Sequence, residues 1–247
     1  QSGHYQYYKN LMYFSAIDDR SYAIRPMNCP GSILIYKERP RSFRELPLKF
    51  VEFGRVHRHE LSGVLHGLFR TRAFTIDDTH MYCMPEQLEE QIRTSIKLVH
   101  TAMSKCGFTN VNIGLSTRPK DSMGTDALWK QATDALHHAL KAEHLSYNVQ
   151  EGEGAFYGPK IEFVIEDSMK RTWQCGTIQV DFCQPENFDL TYIASGGKPL
   201  RPVMIHQAVY GSLERFFGML LEHHKGHLPV WLSPIQVKVL TISDEYL

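Results

Sequence analysis

The sequence predicts an α+β fold, a mainly antiparallel β-sheet flanked by helices. Two observations predict it. Strand-patterned runs come in neighbouring pairs joined by a turn or loop, the short connection that antiparallel strands allow. Alongside them lie longer runs whose apolar residues recur at three- and four-residue steps, as in helices that bury one face.

Residues 49–58 (KFVEFGRVHR) alternate in strand fashion. A loop with Gly63 and Gly67 follows, and residues 68–82 (LFRTRAFTIDDTHMY) read as the antiparallel partner. Residues 85–106 read as a helix on the stripe Leu88, Ile92, Ile96, Val99 and Met103, with Pro85 in the first turn and Gly107 as the stop. Residues 110–116 look like a strand, and 125–143 like a second helix with Thr125 as N-cap and a stripe of Leu128, Ala132, Ala135, Leu136 and Ala139. A short strand at 147–150 precedes a hairpin of 161–166 and 171–183 about a turn at Asp167 to Lys170. Residues 207–224 read as a helix ending near Gly226, and VKVLTIS near the C-terminus as a buried strand that opens another domain.

The chain has 247 residues, room for one large domain or a domain with a fragment of another. Hydrophobic residues make up 43% and charged residues 22%, as in a soluble globular protein. Lys+Arg and Asp+Glu both number 27, so net charge announces no nucleic-acid partner. No apolar run is long enough to span a membrane, and the first ten residues, QSGHYQYYKN, lack a signal pattern. Five scattered cysteines read as reduced thiols, so the expected location is cytoplasmic. Thirteen histidines invite a search for a metal or proton-transfer site.

The richest segment is 68–82. On a strand, Arg70, Arg72, Phe74, Ile76, Asp78 and His80 share one face. A core face would be apolar, and a solvated one would favour Lys, Glu and Thr. Two cations, an aromatic ring, a carboxylate and an imidazole suit a pocket wall better. Arginine forks grip phosphate or carboxylate, and an aromatic ring stacks on a planar base. On the preceding strand, Arg58 and Glu60 share a face and extend this candidate nucleotide site.

EFGRVHRHE with the following glycine-containing loop and FRTRAFTIDDTH resembles motif 2 of the class II aminoacyl-tRNA synthetases, and GSLERFFGMLLE at 211–222 resembles their motif 3. MNCPG at 27–31, GEGAFYGPKIEF at 152–163 and WQCGTIQVDF at 173–182 resemble the threonyl-tRNA synthetase family in particular. The likeness runs from about His4 to Leu232, with five segments in the family's order. It implies the class II catalytic fold over residues 1–232, with the motif 1 region missing or partial. Residues 233–247 would then begin a truncated anticodon-binding domain or a linker. The implied activity is threonine–tRNA ligation. Threonine and ATP give threonyl-adenylate, and threonine tRNA then takes the acyl group. ATP is expected with Mg²⁺, the full-length family is homodimeric, and no membrane partner is expected.

The resemblance also implies residue roles. Arg58 is similar to the arginine between amino-acid carboxylate and α-phosphate. Glu60 resembles the adenine reader, Phe74 the ring beneath adenine, Arg70 a partner of the outer phosphates, and Arg215 the motif 3 arginine. Gln174 and Thr177 fall among the ATP contacts, and Gln179 at the reacting centre. Both glutamines can face one site only if Gly176 marks a bulge. Met27, Asp78, Tyr157, Lys160, Cys175 and Gln179 fall among the threonine contacts, with Asp78 as acceptor of the hydroxyl. His4 matches a histidine near the tRNA ribose, with a general-base role. Cys29, His80 and His206 match three zinc ligands, one zinc per subunit, whose open positions take threonine's amine and hydroxyl.

Two positions depart from the family. Ile76 stands where a glutamine that helps hold the amino acid is expected, and Ser32 where histidine is usual. Two alternatives compete with the ligase. A non-charging paralogue that binds an amino acid or nucleotide would be expected to have lost a motif arginine or a zinc ligand. A zinc hydrolase would use Asp78 as base beside a metal-bound water.

Overall fold

A computed structural model describes residues 2–243 and Glu245. It begins with the short helix α1 (His4–Tyr7), the hairpin β1 (Tyr13–Ile17) and β2 (Arg20–Ile24), and helix α2 (Cys29–Lys37). Then come β3 (Leu48–His57), β4 (Ala73–Cys83), α3 (Leu88–Lys105), β5 (Asn112–Ser116), α4 (Asp126–Ala142) and β6 (Asn148–Gln150). The hairpin β7 (Lys160–Glu166) and β8 (Thr172–Asp181) leads into α5 (Cys183–Asn187) and the small pair β9 (Tyr192–Ile193) and β10 (Pro199–Leu200). Strand β11 (Val203–Ser212) and helix α6 (Leu213–His223) follow.

Seven strands form one sheet in the order β3-β4-β11-β8-β7-β5-β6. Every neighbouring pair is antiparallel except β5 with β6. The α+β expectation therefore holds. Helices α3, α4 and α6 cover one face. The expected stripe of α3 (Leu88, Ile92, Ile96, Val99, Met103) is buried there with Leu136 and Leu140 of α4, against Ile161, Phe163, Ile178, Val180 and Ile205 of the sheet. Each such aliphatic side chain contributes about 1.5–3 kcal/mol by leaving water. Thr125 caps α4, its hydroxyl accepting from the Leu128 N–H, and Gly107 takes φ +92° where α3 ends. On the opposite face a smaller core packs Ile33 and Tyr36 of α2 against Tyr82 and Met204, and the Tyr36 and Tyr82 rings stack at 4.4 Å. The rest of that face is left open for a cavity.

Four expectations need correction. Strand β3 ends at His57, so Arg58 and Glu60 reach the cavity from the segment after it and not from a shared strand face. Residues 68–72 lie before the strand, which begins at Ala73. Arg72 accordingly leaves the shared face: its guanidinium donates to the Glu60 carbonyl at 3.0 Å and the Ser62 hydroxyl at 3.1 Å, bracing the loop. Residues 207–212 are strand, not helix: Gln207 and Ala208 are paired on both sides, to β4 and to β8, and Ser212 pairs with Ile76 of β4 after a break in register. Helix starts only after Ser212, whose hydroxyl accepts from the Arg215 N–H. Residues 237–243 carry no strand. Val237, Val239, Leu240 and Ile242 are exposed, and a strand pattern with no neighbour to bond has no ladder to join.

Candidate active site and metal centre

The floor of the cavity is a set of cross-strand rows. His80 of β4 lies opposite His206 of β11, His206 opposite Gln179 of β8, and Gln179 opposite Lys160 of β7. In the next row, Asp78, Ala208, Thr177 and Glu162 are consecutive partners. Ile76 lies opposite Ser212 one row further, and Phe74 lies further still along β4. Directly opposed side chains on one sheet face stand about 5 Å apart. Residues scattered over the sequence thus become neighbours through register alone.

The expected bulge is present. Between Glu162↔Thr177 and Val164↔Gln174, two residues of β8, Cys175 and Gly176, oppose one of β7. A Cβ on Gly176 would stand 2.9 Å from the Val209 carbonyl oxygen and from Val99, so only glycine fits without displacement. The bulge returns Gln174 and Gln179 to the same cavity.

That cavity measures about 350 Å³. Arg58, Glu60, Arg70, Phe74, Gln174, Thr177 and Arg215 line it, as do Met27, Asp78, Tyr157, Lys160, Cys175, Gln179, Cys29, His80 and His206. Ile76 lines it as well, an aliphatic side chain between Phe74 and Asp78. Ser32 lies elsewhere, buried and hydrogen-bonded to the Tyr82 hydroxyl at 2.9 Å. His4 is absent from the cavity lining. It is buried rather than exposed, with Nε2 3.0 Å from the Met27 sulfur and 3.7 Å from that of Cys29.

The two arginines are held differently. The Arg58 guanidinium lies over the Phe74 ring at 5.1 Å and donates to the Pro26 carbonyl at 3.2 Å. Arg215 donates to the Phe69 and Gln174 carbonyls at 2.7 and 2.8 Å and rests over Trp173 at 5.4 Å. Burial, and then the neighbouring Arg70 and Arg58, lower its pKa. An anion in the cavity would therefore meet cations short of counter-charge. Arg70 pairs loosely with Glu60 at 3.8 Å.

Cys29, His80 and His206 have ligand atoms within 4.8 Å of one another, and all three are buried. Cys29 comes from the first turn of α2; the histidines face each other across β4 and β11. One thiol and two imidazoles in this compass can hold a metal ion. Burial drives the His80 pKa down to about 4, so its imidazole is neutral and able to ligate. Burial, with Asp78 and Asp181 next, pushes the Cys29 thiol well up, and a bound cation would reverse that. The outer contacts fit the same reading. His206 Nε2 lies 2.9 Å from the Asp181 carboxylate, which also accepts from the Cys183 and Gln184 N–H groups. Such a carboxylate fixes the tautomer and orientation of a ligating imidazole. Asn28 donates to Asp78 at 3.1 Å, and Gly54 leaves the space its side chain fills.

Sequence reasoning missed Asn28, Asp181, Glu162, Asp77 and Glu214. Two had a readable signal: Asn28 precedes Cys29, and Asp181 lies two residues beyond Gln179 on the same strand face. Glu162 also shares that face, where it accepts from Lys160 at 2.8 Å and from Ser116.

Comparisons with known proteins identify the family. A family model described as tRNA synthetase class II core domain (G, H, P, S and T) matches residues 13–224. The threonine–tRNA ligase of Finegoldia magna is 57% identical over 246 residues, covering 100% of this chain and 39% of that protein. The Thermotoga maritima threonine–tRNA ligase is 57% identical over 245 residues, covering 99% of this chain and 38% of its own length. The chain thus spans about two-fifths of these curated relatives. The solved RNA-binding domain of Cryptosporidium parvum threonyl-tRNA synthetase superposes with a TM-score of 0.90 at 42% identity, over 94% of this chain and 58% of that one. Giardia lamblia prolyl-tRNA synthetase, at 15% identity and a TM-score of 0.63 over 91% of this chain and 39% of its own, shares the fold alone. On the family match over residues 13–224 and the sheet that carries its motifs, the chain belongs to the class II tRNA synthetase core domains.

Proposed function

We propose that this chain is the catalytic core of a cytoplasmic threonine–tRNA ligase. The observation that carries the reading is the Cys29, His80 and His206 cluster at one end of a cavity whose other end holds Arg58, Phe74 and Arg215. One end suits a small ligand with paired polar groups, the other a nucleoside triphosphate. Residues 1–232 form this core, and 233–247 begin a linker or further domain. The whole protein's partners in this reading are ATP, L-threonine, threonine tRNA and a second subunit.

The donor set of one thiolate and two imidazoles suits zinc, which when bound supplies open positions for threonine's amine and hydroxyl. Asp78, 3.5 Å from His80, is placed to accept a hydrogen bond from that hydroxyl. Tyr157 donates to Gln179, and the two close the wall beside His206. Arg58 is oriented to hold the substrate carboxylate near the α-phosphate, while Phe74 and Glu60 receive adenine. In the first step a carboxylate oxygen attacks the α-phosphorus. The bond to the bridging oxygen breaks, and pyrophosphate leaves; Mg²⁺ bound with ATP would offset part of the phosphate charge. Arg58, Arg70 and Arg215 offset the charge that builds on the phosphates. No protein nucleophile is required; orientation supplies much of the rate. In the second step a ribose hydroxyl of tRNA attacks the acyl carbon and AMP departs. His4 stays a candidate base for that step. Burial, then His206 and Arg58, lower its pKa to about 4, so the free base is populated at neutral pH but pulls weakly on a proton.

Valine is nearly isosteric with threonine but lacks the hydroxyl. An apolar pocket separates such a pair only about 100-fold, whereas a site built on the hydroxyl leaves buried polar groups unpaired and does far better. Serine keeps both the amine and the hydroxyl. The test is ATP–pyrophosphate exchange on this chain. Exchange is expected with threonine, measurably with serine and not with valine. Equal rates on valine and threonine would refute the assignment.

A further inference from the structure

The strand that carries Phe74 and the helix that carries Arg215 are joined by an exchange of carboxylates. Between Asp78↔Ala208 and Ile76↔Ser212, three residues of β11 (Val209, Tyr210, Gly211) face a single residue of β4, Asp77. Their N–H groups lose ladder partners on that side. The Asp77 carboxylate takes all three: one oxygen accepts from Val209 and Tyr210 at 2.9 Å, the other from Gly211 at 2.8 Å. Asp77 is buried on the helix-covered side of the sheet, away from the cavity. The reverse connection lies one turn of chain further. The ladder between β4 and β11 stops at Ile76, and the Thr75 N–H donates instead to both carboxylate oxygens of Glu214, at 2.9 Å each. Glu214 also accepts from the Ser212 hydroxyl at 3.1 Å.

This device locks against the second bulge. A Cβ on Gly211, at φ +78°, would come within 2.4 Å of the Cys175 carbonyl oxygen, and one on Gly176 within 2.9 Å of that of Val209. The carbonyl of Gln174, just before that bulge, holds Arg215. The position of the Arg215 guanidinium therefore follows from where β11 breaks register, and Asp77 fixes that break.

We propose that Asp77 and Glu214 are positioning residues for adenylation, a reciprocal clamp that sets where Arg215 meets the polyphosphate. The proposal rests on the reading of the cavity as a nucleotide site. Neither carboxylate touches substrate; both act through Arg215. Asn at 77 keeps the shape but offers one accepting oxygen and turns an N–H₂ donor toward N–H donors.

The test compares Asp77→Asn, Glu214→Gln, Arg215→Ala and their combinations by ATP–pyrophosphate exchange, with KM for each substrate and metal content measured in parallel. Asp77→Asn is expected to lower kcat/KM for ATP about 10–100-fold, the scale of an ångström-level misplacement. KM for threonine and the zinc content stay within about twofold on the same argument, because the metal row lies beyond the register break. Added to Arg215→Ala, Asp77→Asn should cost nothing further, since its target is gone. Losses that multiply in the double variant, or an equal rise in KM for threonine, overturn the clamp as a generally structural effect. Should Asp77→Asn fail to fold, Glu214→Gln with and without Arg215→Ala decides by the same rule. Should Arg215→Ala alone leave exchange and ATP binding unchanged, the nucleotide reading falls and takes the clamp with it.

Discussion

At the scale of single residues, Asp181 shows how far a candidate metal site extends beyond the three residues that could ligate the ion. It is fully buried, holds His206 at 2.9 Å, and is itself anchored by two backbone N–H groups and the Gln184 amide. The His206 Nε2 contact with Asp181 fixes the orientation of an imidazole that belongs to the cluster with Cys29 and His80. Asp181→Asn should therefore weaken zinc binding about 10–100-fold. Competition with a chelating dye measures this without relying on catalysis, and unchanged affinity would remove Asp181 from the metal site. What could be read from sequence at this scale followed strand parity. Phe74, Ile76, Asp78 and His80 share the cavity face as alternation requires. Arg72 does not, because alternation counts only inside a strand and the strand starts at Ala73. Cys29, His80 and His206 were legible only through family likeness. Nothing local in a chain records that one helix terminus and two strands will meet.

Among elements, the turn between β7 and β8 carries more than its hairpin. Asp167 accepts from the Met169 and Arg171 N–H groups at 2.9 Å, from the Arg171 guanidinium at 2.6 Å, and from the Trp173 indole at 2.9 Å. Trp173 in turn lies under Arg215 and stacks on His66 from the loop before β4. Burial alone would raise the Asp167 pKa, but its hydrogen bonds outweigh it and bring the carboxyl down to about 2. A folded pKa below the unfolded value gives stability that is present above about pH 4 and is lost as pH falls toward 2. Asp167→Asn at neutral pH should cost about 1–3 kcal/mol, as for a buried hydrogen-bond acceptor of charged character. For a chain of this size, that lowers Tm by about 2–4 °C per kcal/mol. Thermal melts from pH 7 to pH 2 should show the two chains converging in acid; a constant gap would count against the ionised carboxylate as the cause. The helices over 85–106 and 125–143 were legible because apolar spacing, a capping threonine and a stop glycine agree. The strand at 207–212 was not. Its residues continue the helical stripe that follows, and only pairing with β4 and β8 at Gln207 and Ala208, and with β4 again at Ser212, decides their conformation.

For the molecule as a whole, the sheet is covered unevenly. Helices α3, α4 and α6 shield its middle, but β3 is its outer strand and presents Val51 and Phe53 at 68% and 72% exposure. Their partners Thr79 and Asp77 lie on the helix-covered side, so the same face that forms the main core runs out bare at this edge. An outer strand with large exposed apolar side chains invites association. Charged neighbours Lys49 and Arg55 bracket the pair without covering it. A second copy of the chain is the occupant that matches the homodimer of the proposed function, and a stable contact of that kind buries about 1,200–2,000 Å². Sedimentation of this chain over a range of concentrations should show reversible dimers. Phe53→Glu should shift them to monomers, because placing a carboxylate at the centre of an apolar contact leaves it unpaired and desolvated. Val51 and Phe53 point away from the cavity, so exchange by the monomeric variant also reports whether adenylation needs the second subunit. A wild-type chain that stays monomeric at every concentration would mean that this strand is not enough to hold two copies together. The cover over Val51 and Phe53 would then have to come from elsewhere in the longer proteins that share this core.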